Sequence, residues 1–168
     1  MKRVLFLSSV MFMFLSAFAQ QVTRQEAINA AVNTMKYNGR TSLTKSSILS
    51  VNSKSKGDTV LIYEILFRSG EMVLLSGNKS CIPILGYSLP TTTSMPQSIL
   101  DNYSDIPYGL QDMLMEYEEQ ILYCFRNNLT SCHYEDWQDL QLFESGRAQV
   151  TDIVSPLLTT EWGAKYVK

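Results

Sequence analysis

The chain has 168 residues, 45% of them hydrophobic, with 14 basic against 16 acidic side chains and a net charge of −2. That length suits one domain with a moderate core, and a weakly acidic chain without clustered Lys and Arg gives no footing for nucleic acid. Three cysteines allow at most one internal bridge, which excludes a disulfide scaffold.

Lys2-Arg3, the largely apolar run Val4 to Leu15 and the small-x-small triplet Ala17-Phe18-Ala19 have the order of an export signal. The run falls short of the ~20 residues that a membrane-crossing helix needs. Residues 1–19 are therefore expected to be removed, leaving a product in the periplasm or outside the cell with no membrane span. No cysteine follows the run to carry a lipid anchor. Gln20 to Lys168 comprises 149 residues with 12 basic against 16 acidic side chains, a formal charge of −4 once Lys2 and Arg3 are gone.

Thr23-Arg24-Gln25-Glu26 is a capping box, in which the Thr23 hydroxyl accepts from the amide three residues on and Glu26 reaches back to the Thr23 amide. Ala27, Ile28, Ala31, Val32 and Met35 follow at helical spacing, and Asn38-Gly39 supplies a terminus, so a helix is predicted from about Arg24 to Tyr37. From Ser47 to Ser88 short apolar runs at Ile48–Val51, Val60–Phe67, Met72–Leu75 and Ile82–Tyr87 are separated by Gly57-Asp58, Ser69-Gly70 and Gly77-Asn78, the pattern of an antiparallel meander. The run Val60 to Phe67 is nearly all apolar, which predicts a central strand covered on both faces. Pro83 lacks an amide donor and places the last strand at an edge or at a bulge.

Leu89 to Pro107 reads as a connector broken by Pro90, Pro96 and Pro107, with a short helix expected within Gln97–Tyr103. Leu110, Leu114, Tyr117, Ile121 and Phe125 then mark a long amphipathic helix from about Tyr108 to Asn127 whose stripe covers the sheet. A final helix is expected around Tyr134–Glu144, burying Trp137 and Leu140, before an extended Val154-Ser155-Pro156. The fold class is α+β: an antiparallel meander packed on one face against an N-terminal helix and C-terminal helices.

No acyl-transfer site is legible. A cysteine hydrolase needs a thiolate beside an imidazole and an oxyanion hole, and the one histidine, His133, follows Cys132 in a polar stretch expected to be a solvated loop. Cys81 and Cys124 are expected to be small apolar core residues. A zinc site built on Cys124, Cys132 and His133 is short of ligands. Asp112, Glu116, Glu118 and Glu119 read as a solvated helix face. Gly77-Asn78-Lys79-Ser80 lacks phosphate-loop spacing and fits a hairpin turn. Asn128-Leu129-Thr130 matches a glycosylation sequon. No catalytic residue, metal or cofactor is assigned.

Met72-Val73-Leu74-Leu75-Ser76-Gly77-Asn78, followed by Pro83-Ile84-Leu85-Gly86-Tyr87-Ser88, is an apolar strand, a Ser-Gly-Asn turn and a Pro-x-Leu-Gly-Tyr-Ser strand. This pattern resembles the pro-region of the streptopain family of secreted papain-like cysteine peptidases. The opening helix at Val22–Ala27 and the long helix with Leu114, Tyr117 and Ile121 are similar to parts of the same pro-region. Val154-Ser155-Pro156-Leu157-Leu158-Thr159-Thr160-Glu161-Trp162-Gly163 resembles the junction to the mature peptidase. In the family a catalytic domain with Cys and His follows that junction, whereas this chain stops at Lys168.

The resemblance implies a pro-region or streptopain-inhibitor domain at 20–153 and a junction remnant at 154–168. It also implies a peptidase partner and a free form that is monomeric. The expected activity is inhibition of a streptopain-like cysteine peptidase by docking and occluding its cleft; the alternative is an N-terminal piece of a zymogen without its catalytic domain. An exported binding module unconnected to peptidases stands as a third reading. Extended segments bind clefts through main-chain hydrogen bonds, which makes Pro90, Thr91, Thr92 and Pro96 in the connector and Val154, Pro156, Leu157, Leu158 and Trp162 in the tail the candidate contacts. Ser76, Gly77, Pro83, Leu85, Gly86, Tyr87 and Ser88 are the residues that carry the family pattern.

Overall fold

The computed structural model describes residues 20–90, 97–129 and 133–142. Helix α1 spans Arg24–Tyr37, and both halves of the capping box are formed. The Thr23 amide donates to Glu26 Oε2 at 2.8 Å, and the Glu26 amide donates to Thr23 Oγ1 at 3.2 Å. Replacing Thr23 by Ala removes both bonds of the hydroxyl, from the Glu26 amide and to Glu26 Oε2, and a melting experiment is expected to show a loss of about 1 kcal/mol. A loss below a few tenths would mean that tertiary contacts alone hold this end of the helix.

Strands β1 (Ile48–Lys56), β2 (Thr59–Phe67), β3 (Met72–Ser76) and β4 (Ile84–Ser88) form one antiparallel sheet in the order β1-β2-β3-β4. β1 continues beyond its apolar start because Asn52 to Lys56 pair with Glu64 to Thr59, and Lys54 and Lys56 suit an outer strand by discouraging pairing with another chain. β4 lies at the other edge, with a register shift opposite it between Leu74 and Leu75. β4 is thus an edge strand as expected, with Pro83 just before it and the irregularity at Leu85.

Helices cover both faces of the sheet, which corrects the one-face expectation. Tyr63, Ile65, Phe67, Val73 and Leu75 join Ala27, Ala31, Met35 and the Trp137 of helix α3 (Tyr134–Leu142) in one core. Ile62, Leu74 and Leu85 meet Leu114 and Ile121 of helix α2 (Tyr108–Arg126) in a second. The physical reason is the two-residue period of a strand: β2 is apolar at successive positions, so each face needs its own cover. Phe67, Ile62 and Ile65 have no exposed surface, and burial of such side chains contributes ~1.5–3 kcal/mol each.

Gln97–Tyr103 does not form the expected short helix. Residues 99–105 make successive turns, with Ser98 Oγ accepting from the Asp101 amide and Asn102 Nδ2 donating to Ser98 O. Such local side-chain bonds offer the backbone an alternative to a helical ladder. Among the described residues no helix is long and apolar enough to cross a membrane.

Candidate functional site

The turn after β3 joins three parts of the chain. Ser76 Oγ accepts from the Asn78 amide at 3.1 Å, and Asn78 Oδ1 accepts from the Ser80 amide at 2.7 Å. Between them Gly77 donates its N–H to Leu61 O at 2.7 Å and accepts from the Val22 amide at 2.8 Å. An isolated bridge between Gln21 and Asn78 adds to this tie. Nearby, the Tyr63 hydroxyl donates to Val22 O at 3.0 Å, and burial pushes this phenol above its ordinary value. The entry to α1 is thereby stitched to the middle of the sheet.

Most of the family-pattern residues thus hold the fold. Ser76, Pro83 and Leu85 are buried, and Pro83 O accepts from the Ser76 amide at 3.0 Å. Gly86 pairs with Leu74 and has open space where a side chain would stand. Ser88 pairs with Met72. Tyr87 is exposed, and its hydroxyl donates to Asn38 Oδ1 at 3.0 Å. Ile82 and Leu89 flank β4 at the sheet margin and, like Tyr87, are about half exposed (Ile82 51%, Tyr87 49%, Leu89 51%), with Ile82 on the α2-side cavity and Tyr87 against the end of α1.

That margin leads into the connector. Pro90, at its start, lies over the β2–β3 turn: a side chain built on Gly70, whose φ is +102°, would come within 3.0 Å of the Pro90 Cβ. Further along the connector, the buried Glu64 of β2 receives the Ile99 amide at 2.7 Å and the Ser98 hydroxyl at 2.5 Å. Both roots of the connector are therefore fixed on the sheet. Thr91, Thr92 and Pro96, and the tail positions Val154, Pro156, Leu157, Leu158 and Trp162, lie outside the described residues, as do residues 1–19 and Cys132. The only sequence signal for Glu64 is a single acid inside an apolar run; its partners Asn52, Ser98 and Ile99 are 12, 34 and 35 positions away, beyond local pattern reading.

Cys81 and Cys124 are half-buried; Cys81 packs against the second core, at its border instead of within it. With His133, Leu85, Tyr117 and Ile121 they line a cavity of about 230 Å³. His133, just before α3 and partly exposed, lies with Nδ1 2.8 Å from Asp136 Oδ2, and its carbonyl accepts from the Trp137 amide, so it caps the first turn of the helix. A second cavity of about 250 Å³ lies beside the Glu26–Lys79 ion pair, under Tyr134 and Trp137. Both are below the ~300 Å³ lower end of small-molecule sites. Among the described residues no three of His, Cys, Asp and Glu are placed to hold a metal. On α2, Glu118 binds Lys54 at 2.6 Å while Glu116 and Glu119 are exposed.

Partial burial pushes the Glu26 carboxyl up, but the Lys79 ammonium at 2.7 Å and the Thr23 amide and hydroxyl outweigh it and hold the group below its ordinary 4.5. A depressed folded value means that this stability is present above the ordinary value and is lost as pH falls through the lower one. The melting-temperature gap between the protein and its Glu26→Gln variant is expected to be constant near neutrality and to shrink on acidification below about pH 4.5. A gap that persists at pH 2 would show that the carboxylate's charge is not what stabilises this corner.

No family model, curated protein or solved structure matches the chain.

Proposed function

We propose that the protein is an exported inhibitor or pro-domain of a streptopain-like cysteine peptidase, acting by docking on the enzyme and covering its cleft. The observation that carries this reading is the Met72–Ser88 pattern, in which a Ser-Gly-Asn turn joins an apolar strand to Pro-x-Leu-Gly-Tyr-Ser. The residues of the pattern are those that build the sheet and its central turn. β4 ends the strand order of the sheet, and a terminal strand is where an extended segment can pair through its main chain.

Occlusion requires an extended segment that is bound but not cut. A scissile carbonyl is cleaved only when it is aligned with the thiolate and its base, so a segment that crosses the cleft out of alignment blocks it without being consumed. The connector, with Pro90 and Pro96, and the tail around Pro156 and Trp162 are the segments we assign to that role. The junction-like sequence Val154–Gly163 favours a second reading, in which the domain is the front of a zymogen; the mode of blocking is the same.

The test is an inhibition assay with the protein spanning Gln20 to Lys168 and its cognate streptopain-family peptidase. Turnover of a peptide substrate is expected to fall at submicromolar inhibitor, and unchanged turnover at micromolar concentrations would refute the proposal.

A further inference from the structure

We propose that the solvent-facing side of α2 is a docking surface for the peptidase, fitted to an apolar groove rimmed by Lys and Arg. This rests on reading the protein as a peptidase inhibitor. α2 carries two apolar stripes. Leu114 and Ile121 are buried against the sheet, with Leu110, Tyr117 and Phe125 partly buried beside them. Tyr108, Met115 and Tyr123 follow one another at seven and eight residues, about two helical turns each, and so share the opposite side. They are 77%, 49% and 61% exposed.

The inner stripe accounts for the packing of the helix, and the outer one adds nothing to it. A single exposed apolar side chain is ordinary. Two tyrosines and a methionine in a row along about 22 Å of one helix are instead the residue types that protein interfaces concentrate. Their spacing is that of a helix laid into a partner's groove. Asp112, Glu116 and Glu119 stand along the same side against the one Arg126 near its end, while Glu118 is turned to Lys54 at 2.6 Å.

This charge selects the occupant. Nucleic acid and anionic lipid repel carboxylates, and helices that lie on membranes carry Lys and Arg on their polar side. A second copy packed antiparallel about a two-fold axis, with Tyr108 opposite Tyr123, would set Asp112 opposite Glu119, and like charges in contact oppose that pairing. The surface that fits is a protein groove with an apolar floor and a basic rim, where an Arg guanidinium can also stack on a tyrosine ring. Docking here is separate from the segments assigned to the cleft, so the helix supplies affinity without having to enter the active site.

The experiment compares the protein, exported from its full-length gene, with Met115→Ala/Tyr123→Ala, with Glu116→Lys/Glu119→Lys and with Asp58→Lys, a charge reversal in the β1–β2 turn. Inhibition of the cognate streptopain-family peptidase, thermal melting and iodination of each tyrosine in the free and bound protein are measured. The apolar pair is expected to weaken inhibition about tenfold or more. The glutamate reversals are expected to slow association at low ionic strength, with the gap closing as salt is added. All variants should melt as the parent does, Asp58→Lys should inhibit as the parent does, and Tyr108 and Tyr123 should iodinate more slowly in the complex. If both α2 variants inhibit like the parent, or both tyrosines react in the complex at the free rate, the proposal is overturned. It is equally overturned if the stripe serves a different occupant: a parent dimer in sedimentation that the apolar pair abolishes, or binding to phosphatidylglycerol vesicles that the apolar pair abolishes. Failure of the unsubstituted protein to inhibit would instead overturn the peptidase reading, and this docking assignment with it. The reversals alter only exposed side chains, so they decide the matter if the apolar pair does not fold.

Discussion

Gly77→Ala is expected to be among the most damaging single-methyl additions in this protein. A Cβ at this position would stand 2.0 Å from Val60 O, 2.7 Å from Val60 C and 3.0 Å from Leu61 O. All three are main-chain atoms of β2, so no rotamer change relieves the clash; the turn or the central strand has to move. Either movement breaks the Gly77 bonds to Leu61 and Val22 and with them the tie between the α1 entry and the sheet. Overpacking of a tight site costs 1–3 kcal/mol or more. With lost backbone bonds added, the expected loss is about 3 kcal/mol or more, or a fall in Tm of roughly 10 °C. Gly86→Ala is the control, since nothing lies within 4 Å of its added Cβ, and it should melt within a few degrees of the parent. If Gly77→Ala melts as high as Gly86→Ala, close backbone approach is not the reason for glycine in the Ser-Gly-Asn turn.

The second large effect is expected from Trp137→Ala. Trp137 is 3% exposed in the core formed by α1 and the sheet, and its Nε1 donates to Cys81 O at 3.2 Å, joining α3 to the β3–β4 loop. α3 is also held by Leu140, partly buried against the same core, and by polar bonds to α1: Asn33 Nδ2 to Leu140 O at 2.6 Å, Asn29 Nδ2 to Gln141 Oε1 at 3.1 Å and Gln141 Nε2 to Glu26 O at 2.9 Å. A nine-residue helix is too short to persist alone in water. Truncating its one fully buried anchor should therefore cost about 3–5 kcal/mol and release α3 from α1. Trp137→Phe retains most of the apolar volume and should cost much less, chiefly the indole hydrogen bond and a small void. Chemical denaturation with fluorescence or circular dichroism distinguishes the two; equal losses for Ala and Phe would mean that the hydrogen bond, not the packing, secures α3.

How far the molecule was legible in its sequence follows the range of the interactions. The capping box at Thr23–Glu26 acts over three residues, and α1 runs over the residues expected, Arg24–Tyr37. The meander was legible because its turns punctuate it, and Pro83 located the outer strand. The expected one-face packing failed although β2 itself carried the contrary signal: a strand apolar at consecutive positions requires cover on two sides. The Gln97–Tyr103 segment lacks the expected helix because the Ser98 and Asn102 side chains bond to nearby main chain. Non-local polar pairings were invisible. Glu64 with Ser98 and Ile99, Tyr87 with Asn38, and Trp137 with Cys81 join residues 34 to 56 positions apart. Of the candidate contacts, Pro90 is placed at the root of the connector, against Gly70; the remaining ones fall outside the described residues.

If the domain covers a cysteine peptidase's cleft, it must shield the catalytic sulfur. The decisive measurement is the rate at which the cognate peptidase's active-site thiol is alkylated by a small reagent, followed by the mass of the peptidase chain with and without saturating protein. Alkylation is expected to slow in proportion to the fraction of enzyme bound and to recover when the complex is diluted. Alkylation at the full rate with the protein present in excess would contradict cleft occlusion.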